Sequence, residues 1–206
     1  MIKVAIMASG NGSNAENIIR VALQYPTQLK VVVVISDRPQ AFVHTRAQEL
    51  GVPSYTVERL KDRLQHEEEI LALLSKLQVE WLCLAGYMRI LSGTFLQHFY
   101  DLKLQAFRVA NIHPSLLPAF PGLNGYQQAF KAQVAQAGVT LHLVDQGVDT
   151  GPILRQLSFD RAPDDDLTSF QQRGMELEYQ AYQEFINALA HHLIKRDGER
   201  LYLLEE

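Results

Sequence analysis

The stretch Arg108 to Pro121 reads Arg-Val-Ala-Asn-Ile-His-Pro-Ser-Leu-Leu-Pro-Ala-Phe-Pro, and two of its side chains can do chemistry together: the amide of Asn111 and the imidazole of His113. Only Ile112 separates them. In a strand, side chains repeat every second residue, so the amide and the imidazole share one face. An amide is a donor for a developing oxyanion, and an imidazole exchanges a proton near neutral pH. Pro114 cannot extend a ladder, so the strand stops there and leaves the pair at its mouth. The plainer alternative is a strand end whose polar residues only satisfy the following turn.

Three further segments bear on that choice. Ser9-Gly-Asn-Gly-Ser-Asn14 follows an apolar run and precedes a helical pattern. A strand, a glycine-bearing loop and a helix start, in that order, make an anion cradle, because the first helical N–H groups lack partners. No Gly-Lys-Ser/Thr closes the loop as in a nucleoside-triphosphate site, and its glycines do not match the dinucleotide spacing. The competing role is a tight turn capped by Ser13 or Asn14. Gly86-Tyr-Met-Arg-Ile-Leu91 also follows a strand, and Asp145-Gln-Gly-Val-Asp-Thr-Gly-Pro152 puts the carboxylate of Asp149 on a polar loop. No metal-ligand spacing occurs, and no serine or cysteine is paired with a base in a known signature.

These loops need a scaffold that brings them together. Apolar runs at residues 3–8, Lys30 to Ser36, Pro53 to Val57 and Glu80 to Ala85 read as strands. Val31-Val-Val-Val-Ile35 is continuous and β-branched, as in a strand covered on both faces. Helical patterns at Ala15 to Leu23, Ala41 to Leu50 and Leu60 to Lys76 alternate with them, the run Glu67-Glu-Glu69 reading as a solvated face. Later come a helix at Tyr126 to Ala135, strands at Gly138 to Val144 and Ile153 to Phe159, a long helix from Asp164, and a last edge strand at Leu201 to Leu204. The expected fold is α/β: a mostly parallel, doubly wound (Rossmann-like) sheet flanked by helices, with residues 1–206 as one domain. In such a sheet the loops after the strands share one edge and line a single crevice.

Bulk composition narrows the partners. A formal charge of −4 and a pI near 6.0 give no basic footprint, so neither nucleic acid nor an acidic membrane is an expected partner. The first apolar run turns polar too soon for a signal peptide or a span, which points to a cytoplasmic protein. Cys83, the single cysteine, sits in the apolar run Trp81-Leu-Cys-Leu-Ala85 and reads as a small buried hydrophobe. His44, His66, His98, His191 and His192 have no motif around them and read as surface or capping residues.

The motifs Ser9-Gly-Asn-Gly-Ser-Asn14, Met88-Arg-Ile-Leu91, Asn111-Ile-His-Pro-Ser-Leu-Leu-Pro118, Phe120-Pro-Gly122 and Gly147-Val-Asp-Thr-Gly-Pro152 resemble those of the phosphoribosylglycinamide formyltransferase family, the folate-dependent glycinamide ribonucleotide transformylases. The similarity covers most of the chain, with the motifs in the family's order. It implies formyl transfer from 10-formyltetrahydrofolate, as co-substrate, to the amine of 5'-phosphoribosylglycinamide in purine biosynthesis, without a metal. By the same match His113 is the general acid/base, Asn111 the oxyanion amide that also meets the folate, and Asp149 the carboxylate that tunes the histidine. Gly12, Ser13 and Asn14 would hold the substrate phosphate and Glu178 the ribose hydroxyls. The backbone of Met88, Arg89, Ile90 and Leu91 would cradle the pterin, and Arg63 would meet the folate's carboxylate tail. His142 would hydrogen-bond the catalytic residues from a neighbouring strand. Monomer and homodimer both stay open. The chain departs from the common pattern at Asn124-Gly-Tyr126, where many relatives place a histidine, and at Glu178-Tyr179, where a histidine often follows the glutamate.

Three alternatives compete with this reading. A formyltetrahydrofolate deformylase would use water in place of the amine, usually behind an extra amino-terminal regulatory domain, and would not need a phosphate loop. A non-catalytic folate- or nucleotide-binding module would not need Asn111, His113 and Asp149 together. Formylation of an aminoacyl-tRNA or a sugar nucleotide usually brings a further carboxy-terminal domain, and the acidic balance gives no help with tRNA.

Overall fold

A computed structural model describes residues 1–58, 62–198 and 200–204. In chain order the elements are β1 (Ile2–Met7), α1 (Ser13–Ala22), β2 (Leu29–Ser36), α2 (Val43–Glu49), β3 (Ser54–Thr56), α3 (Arg63–Leu77), β4 (Trp81–Leu84) and α4 (Gly93–Gln97). There follow β5 (Tyr100–Asp101), β6 (Ala106–Phe107), β7 (Val109–His113), α5 (Gly125–Lys131), β8 (Gln136–Leu143), β9 (Ile153–Asp160), α6 (Leu167–Ala190), β10 (Ile194–Asp197) and β11 (Arg200–Leu203).

Seven strands form the central sheet in the order β3-β2-β1-β4-β7-β8-β9. The first five are parallel, and β8 and β9 continue the sheet antiparallel. The mostly parallel, doubly wound fold is therefore present, with its chain direction reversing only after β7. Period-two alternation divides β1 between two cores: Val4 and Ile6 pack with α1, α2, α5 and α6 on one face, and Ala5 and Met7 with α3 and α4 on the other. β1 has β2 on one side and β4 on the other. The loops after β1 and β4 diverge at this switch point and open a crevice at the carboxyl edge of the sheet.

Several boundaries differ from expectation. The helix expected to Ala135 stops at Lys131, because Gln133 takes a φ of 53° and β8 already begins at Gln136. The expected edge strand at Leu201 to Leu204 is instead half of a separate hairpin with β10, turned at Gly198, whose φ is 56°. The short elements α4, β5 and β6 are too brief to show a period in sequence. The helix expected from Leu60 is described from Arg63, Leu60 itself lying outside the described residues. Among the described residues no helix is long and apolar enough to cross a membrane. Cys83 is fully buried and its thiol is pushed up to about 12 by that burial.

Candidate active site

Asn111 and His113 stand at the carboxyl end of β7 and both line a cavity of about 480 Å³. Register with the antiparallel neighbour sets Asn111 opposite His142, and Asn111 Nδ2 lies 3.2 Å from His142 Nε2. His142 Nδ1 is 3.0 Å from the Leu143 carbonyl, which can only accept, so Nδ1 carries the proton and Nε2 accepts from the amide. Burial, the largest influence, lowers the pKa of His142, in keeping with this neutral ring.

His113 is arranged differently. Its Nε2 donates to the Phe120 carbonyl at 2.8 Å, and its Nδ1 faces Asp149 Oδ2 at 3.2 Å. A ring between two acceptors satisfies both only when each nitrogen bears a proton. Asp149 is held for this role by its backbone, in the left-handed region at φ 55°, and by the Gly122 N–H, which donates to Oδ2 at 2.8 Å. Its other oxygen stands 3.7 Å from His142 Nε2. One carboxylate thus sits between two buried imidazoles, 3.2 Å from His113 Nδ1 and 3.7 Å from His142 Nε2.

At one end of the cavity lie Asn14 and Glu178. Gly12 caps α1 at φ 77°, and a Cβ there would come within 2.4 Å of Val43 Cγ2, so only glycine fits the turn. Neither Ser13 nor Asn14 caps the helix with its side chain. Asn14 instead donates Nδ2 to Glu178 Oε2 at 2.6 Å and leaves Oδ1 buried without a partner. Gly12 and Ser13 form the helix start but do not line the cavity. Arg46, which sequence reasoning passed over, clamps the same loop from α2: it donates to the Asn11 carbonyl at 3.0 Å and to Asn11 Oδ1 at 2.8 Å, and pairs with Glu16. Hydrogen bonding from Arg20, the larger influence, and from Arg46 holds the Glu16 carboxyl below its ordinary range.

Met88, Arg89, Ile90 and Leu91 line another part of the cavity, with Met88 and Ile90 exposed. This loop is anchored at both ends. Met88 N–H donates to Ser9 Oγ at 3.0 Å, and Ser92 N–H donates to Glu67 Oε1 at 2.9 Å while its hydroxyl bonds the other oxygen of the same carboxylate. Glu67 is therefore buried rather than solvated, because the Ser92 turn docks over it. His66 is likewise not a surface residue. It is 2% exposed, with Nδ1 2.9 Å from the Glu58 carbonyl and Nε2 3.1 Å from the Tyr87 hydroxyl. Arg63 does not line the cavity; half-exposed at the start of α3, it pairs with Glu67 at 3.1 Å.

Glu178 is no solvated helix carboxylate either: Tyr126 Oη donates to its Oε1 at 2.6 Å, opposite the Asn14 bond, and burial raises its pKa. Tyr126 was missed because its segment departs from the familiar motif. Among the described residues no group of three or more His, Cys, Asp or Glu is placed to hold a metal ion. The cavity thus offers an acceptor-rich end, a loop of exposed backbone and apolar side chains, and an amide–imidazole–carboxylate group.

Comparison with known proteins accounts for this combination. The formyl transferase family model matches residues 2–186. Phosphoribosylglycinamide formyltransferase of Bacillus subtilis is 39% identical over 191 residues, covering 92% of this chain and 95% of the relative. The trifunctional purine biosynthetic protein adenosine-3 of Drosophila melanogaster is 37% identical over 87% of this chain, which spans 13% of that protein. Glycinamide ribonucleotide transformylase 1 of Symbiobacterium toebii superposes with a TM-score of 0.91 at 34% identity, over 100% of this chain and 95% of that one. With fold, motif order and similarity agreeing over nearly its whole length, the chain belongs to the formyl transferase family, among the phosphoribosylglycinamide formyltransferases.

Proposed function

We propose that this enzyme, acting as a single formyltransferase domain over residues 1–206, transfers the formyl group of 10-formyltetrahydrofolate to the amine of 5'-phosphoribosylglycinamide, a step of purine biosynthesis in the cytoplasm. The observation that carries this reading is the meeting of His113 and Asp149 at 3.2 Å in the cavity that also holds Asn111, Asn14 and Glu178. Gly12 and Ser13, at the α1 start next to the lining residue Asn14, would supply N–H groups to the phosphate from the cavity's margin, and Asn14 and Glu178, which line it, acceptors to the ribose hydroxyls. The Met88–Leu91 backbone and the apolar side chains beside it suit a flat pterin. Arg63, tied through Glu67 to Ser92, lies outside the cavity, where a folate tail leaving it would meet a cation. These ligands and contacts need no metal.

In the reaction, the substrate amine attacks the formyl carbon and the carbonyl electrons move to oxygen. Asn111 and His113 are the donors for that oxyanion. The Nε2–H of His113, shared here with the Phe120 carbonyl, makes a stronger bond to a charged oxygen than to a neutral one. Asp149 stabilises the imidazolium across the Nδ1 contact. The amine then loses its proton, N10 of the folate gains one, and the carbon–N10 bond breaks to give the formamide and tetrahydrofolate. His142 fixes Asn111 by accepting from its amide.

The test is turnover of 10-formyltetrahydrofolate with and without phosphoribosylglycinamide. The reading expects deformylation only with the amine present and one formamide per folate consumed. Amine-independent turnover would overturn it in favour of a hydrolase.

A further inference from the structure

Tyr126 and Gly174 form a fitted pair beside Glu178. Gly174 and Glu178 are four residues apart on α6 and so lie on one helix face. A Cβ at Gly174 would stand 2.2 Å from Tyr126 Cε1 and 2.5 Å from its hydroxyl oxygen, so the phenol ring occupies the space a side chain would take. Seated there, Tyr126 gives its only hydroxyl proton to Glu178 Oε1 at 2.6 Å, while Asn14 Nδ2 holds Oε2 at the same distance. Burial penalises the charge on Glu178, and these two donors offset part of the penalty. They also fix the carboxylate plane, since each oxygen is tied from a different element. The acceptors left for a ligand on the residues that line the cavity are the remaining lone pairs of Glu178 and the partnerless Asn14 Oδ1.

We propose that Tyr126, seated against Gly174, is a positioning residue that sets Glu178 for the hydroxyl-bearing end of the amine substrate and so governs that substrate's affinity rather than the chemical step. This rests on the reading of the cavity as a phosphoribosylglycinamide site. Because Asn14 and Tyr126 both spend protons on Glu178, the cluster selects a ligand that brings hydroxyl donors and disfavours one presenting a carbonyl or a second anion there.

Tyr126→Phe keeps the ring in its slot and removes the donor. Expected is a rise in KM for phosphoribosylglycinamide of about tenfold or more, the scale of a hydrogen bond to a charged group. The kcat and the KM for 10-formyltetrahydrofolate should stay within about threefold, since the phenol touches neither the formyl centre nor the Met88–Leu91 loop. Gly174→Ala displaces the same ring and should raise the same KM, and calorimetric binding of phosphoribosylglycinamide alone to each variant should weaken in parallel. An unchanged amine KM in Tyr126→Phe overturns the proposal, as does a variant in which both KM values rise and thermal stability falls together. Failure of the wild-type enzyme to use phosphoribosylglycinamide would instead overturn the functional reading, and is seen before any variant is made.

Discussion

Replacing Asp149 by asparagine keeps the size of the side chain and removes its charge. The carboxylate oxygen that faces His113 Nδ1 at 3.2 Å also accepts the Gly122 N–H at 2.8 Å, and an amide oxygen can keep only the second contact at full strength. Two unit charges at 3.2 Å interact by about 5 kcal/mol at an effective dielectric of about 20. If all of that stabilisation acted on the imidazolium in the transition state, the loss would be a little under 10⁴-fold, at about 1.4 kcal/mol per factor of ten. Asp149 is 13% exposed, so water recovers part of it. The expected fall in kcat for Asp149→Asn is therefore between about 10² and 10⁴. Steady-state release of tetrahydrofolate, with both substrates saturating, measures it. The KM for phosphoribosylglycinamide should change little, because Asn14 and Glu178 are untouched. A kcat within threefold of wild type would refute an electrostatic role for this carboxylate.

Three other perturbations address the surrounding structure. Burial is the first cause of the raised Glu178 pKa, and a carboxyl raised in the fold contributes stability that is complete below its unfolded range and lost as pH rises through its folded value. Glu178→Gln cannot ionise, so its Tm relative to wild type should be higher at pH 8 than at pH 4; a difference that does not vary with pH, by scanning calorimetry, contradicts this. Glu67→Gln weakens the pair with Arg63 and the hold on Ser92, and should cost about 1–3 kcal/mol of stability while raising KM for 10-formyltetrahydrofolate selectively. An unchanged folate KM would detach Glu67 from the loop's function. Gly12→Ala combines a φ of 77° with a Cβ 2.4 Å from Val43 Cγ2, so a loss of about 1–3 kcal/mol and weaker phosphoribosylglycinamide binding are expected, read by denaturant titration and calorimetry.

The legible parts of the site were those carried by local rules. Strand alternation and Pro114 put Asn111 and His113 on one face at a strand end, and the run from β1 through Gly12 into α1 announced a helix start facing a crevice. The contact of His113 with Asp149 spans 36 positions and depends on a left-handed residue in a loop, which no periodicity shows; only the family's motifs pointed to it. Glu67 and His66 were misjudged for a related reason. Their burial is decided by Ser92 and Tyr87, from the far side of β4, and a charged run on an isolated helix looks solvated. The pairing of Tyr126 with Gly174 joins two helices that no local pattern relates.

The Asn14–Glu178 hydrogen bond joins residues 164 positions apart, and the Tyr182 hydroxyl ties α6 to the Leu84 carbonyl across 98 positions. Closing chain segments of that length costs entropy that only contacts made in the folded chain repay. The Asn14–Glu178 end of the cavity is therefore missing from any amino-terminal fragment that stops short of α6, even one that contains the whole β1–α1 turn and the Asn111–His113 strand. That end of the cavity is complete only when α6, residues Leu167–Ala190, packs back onto α1.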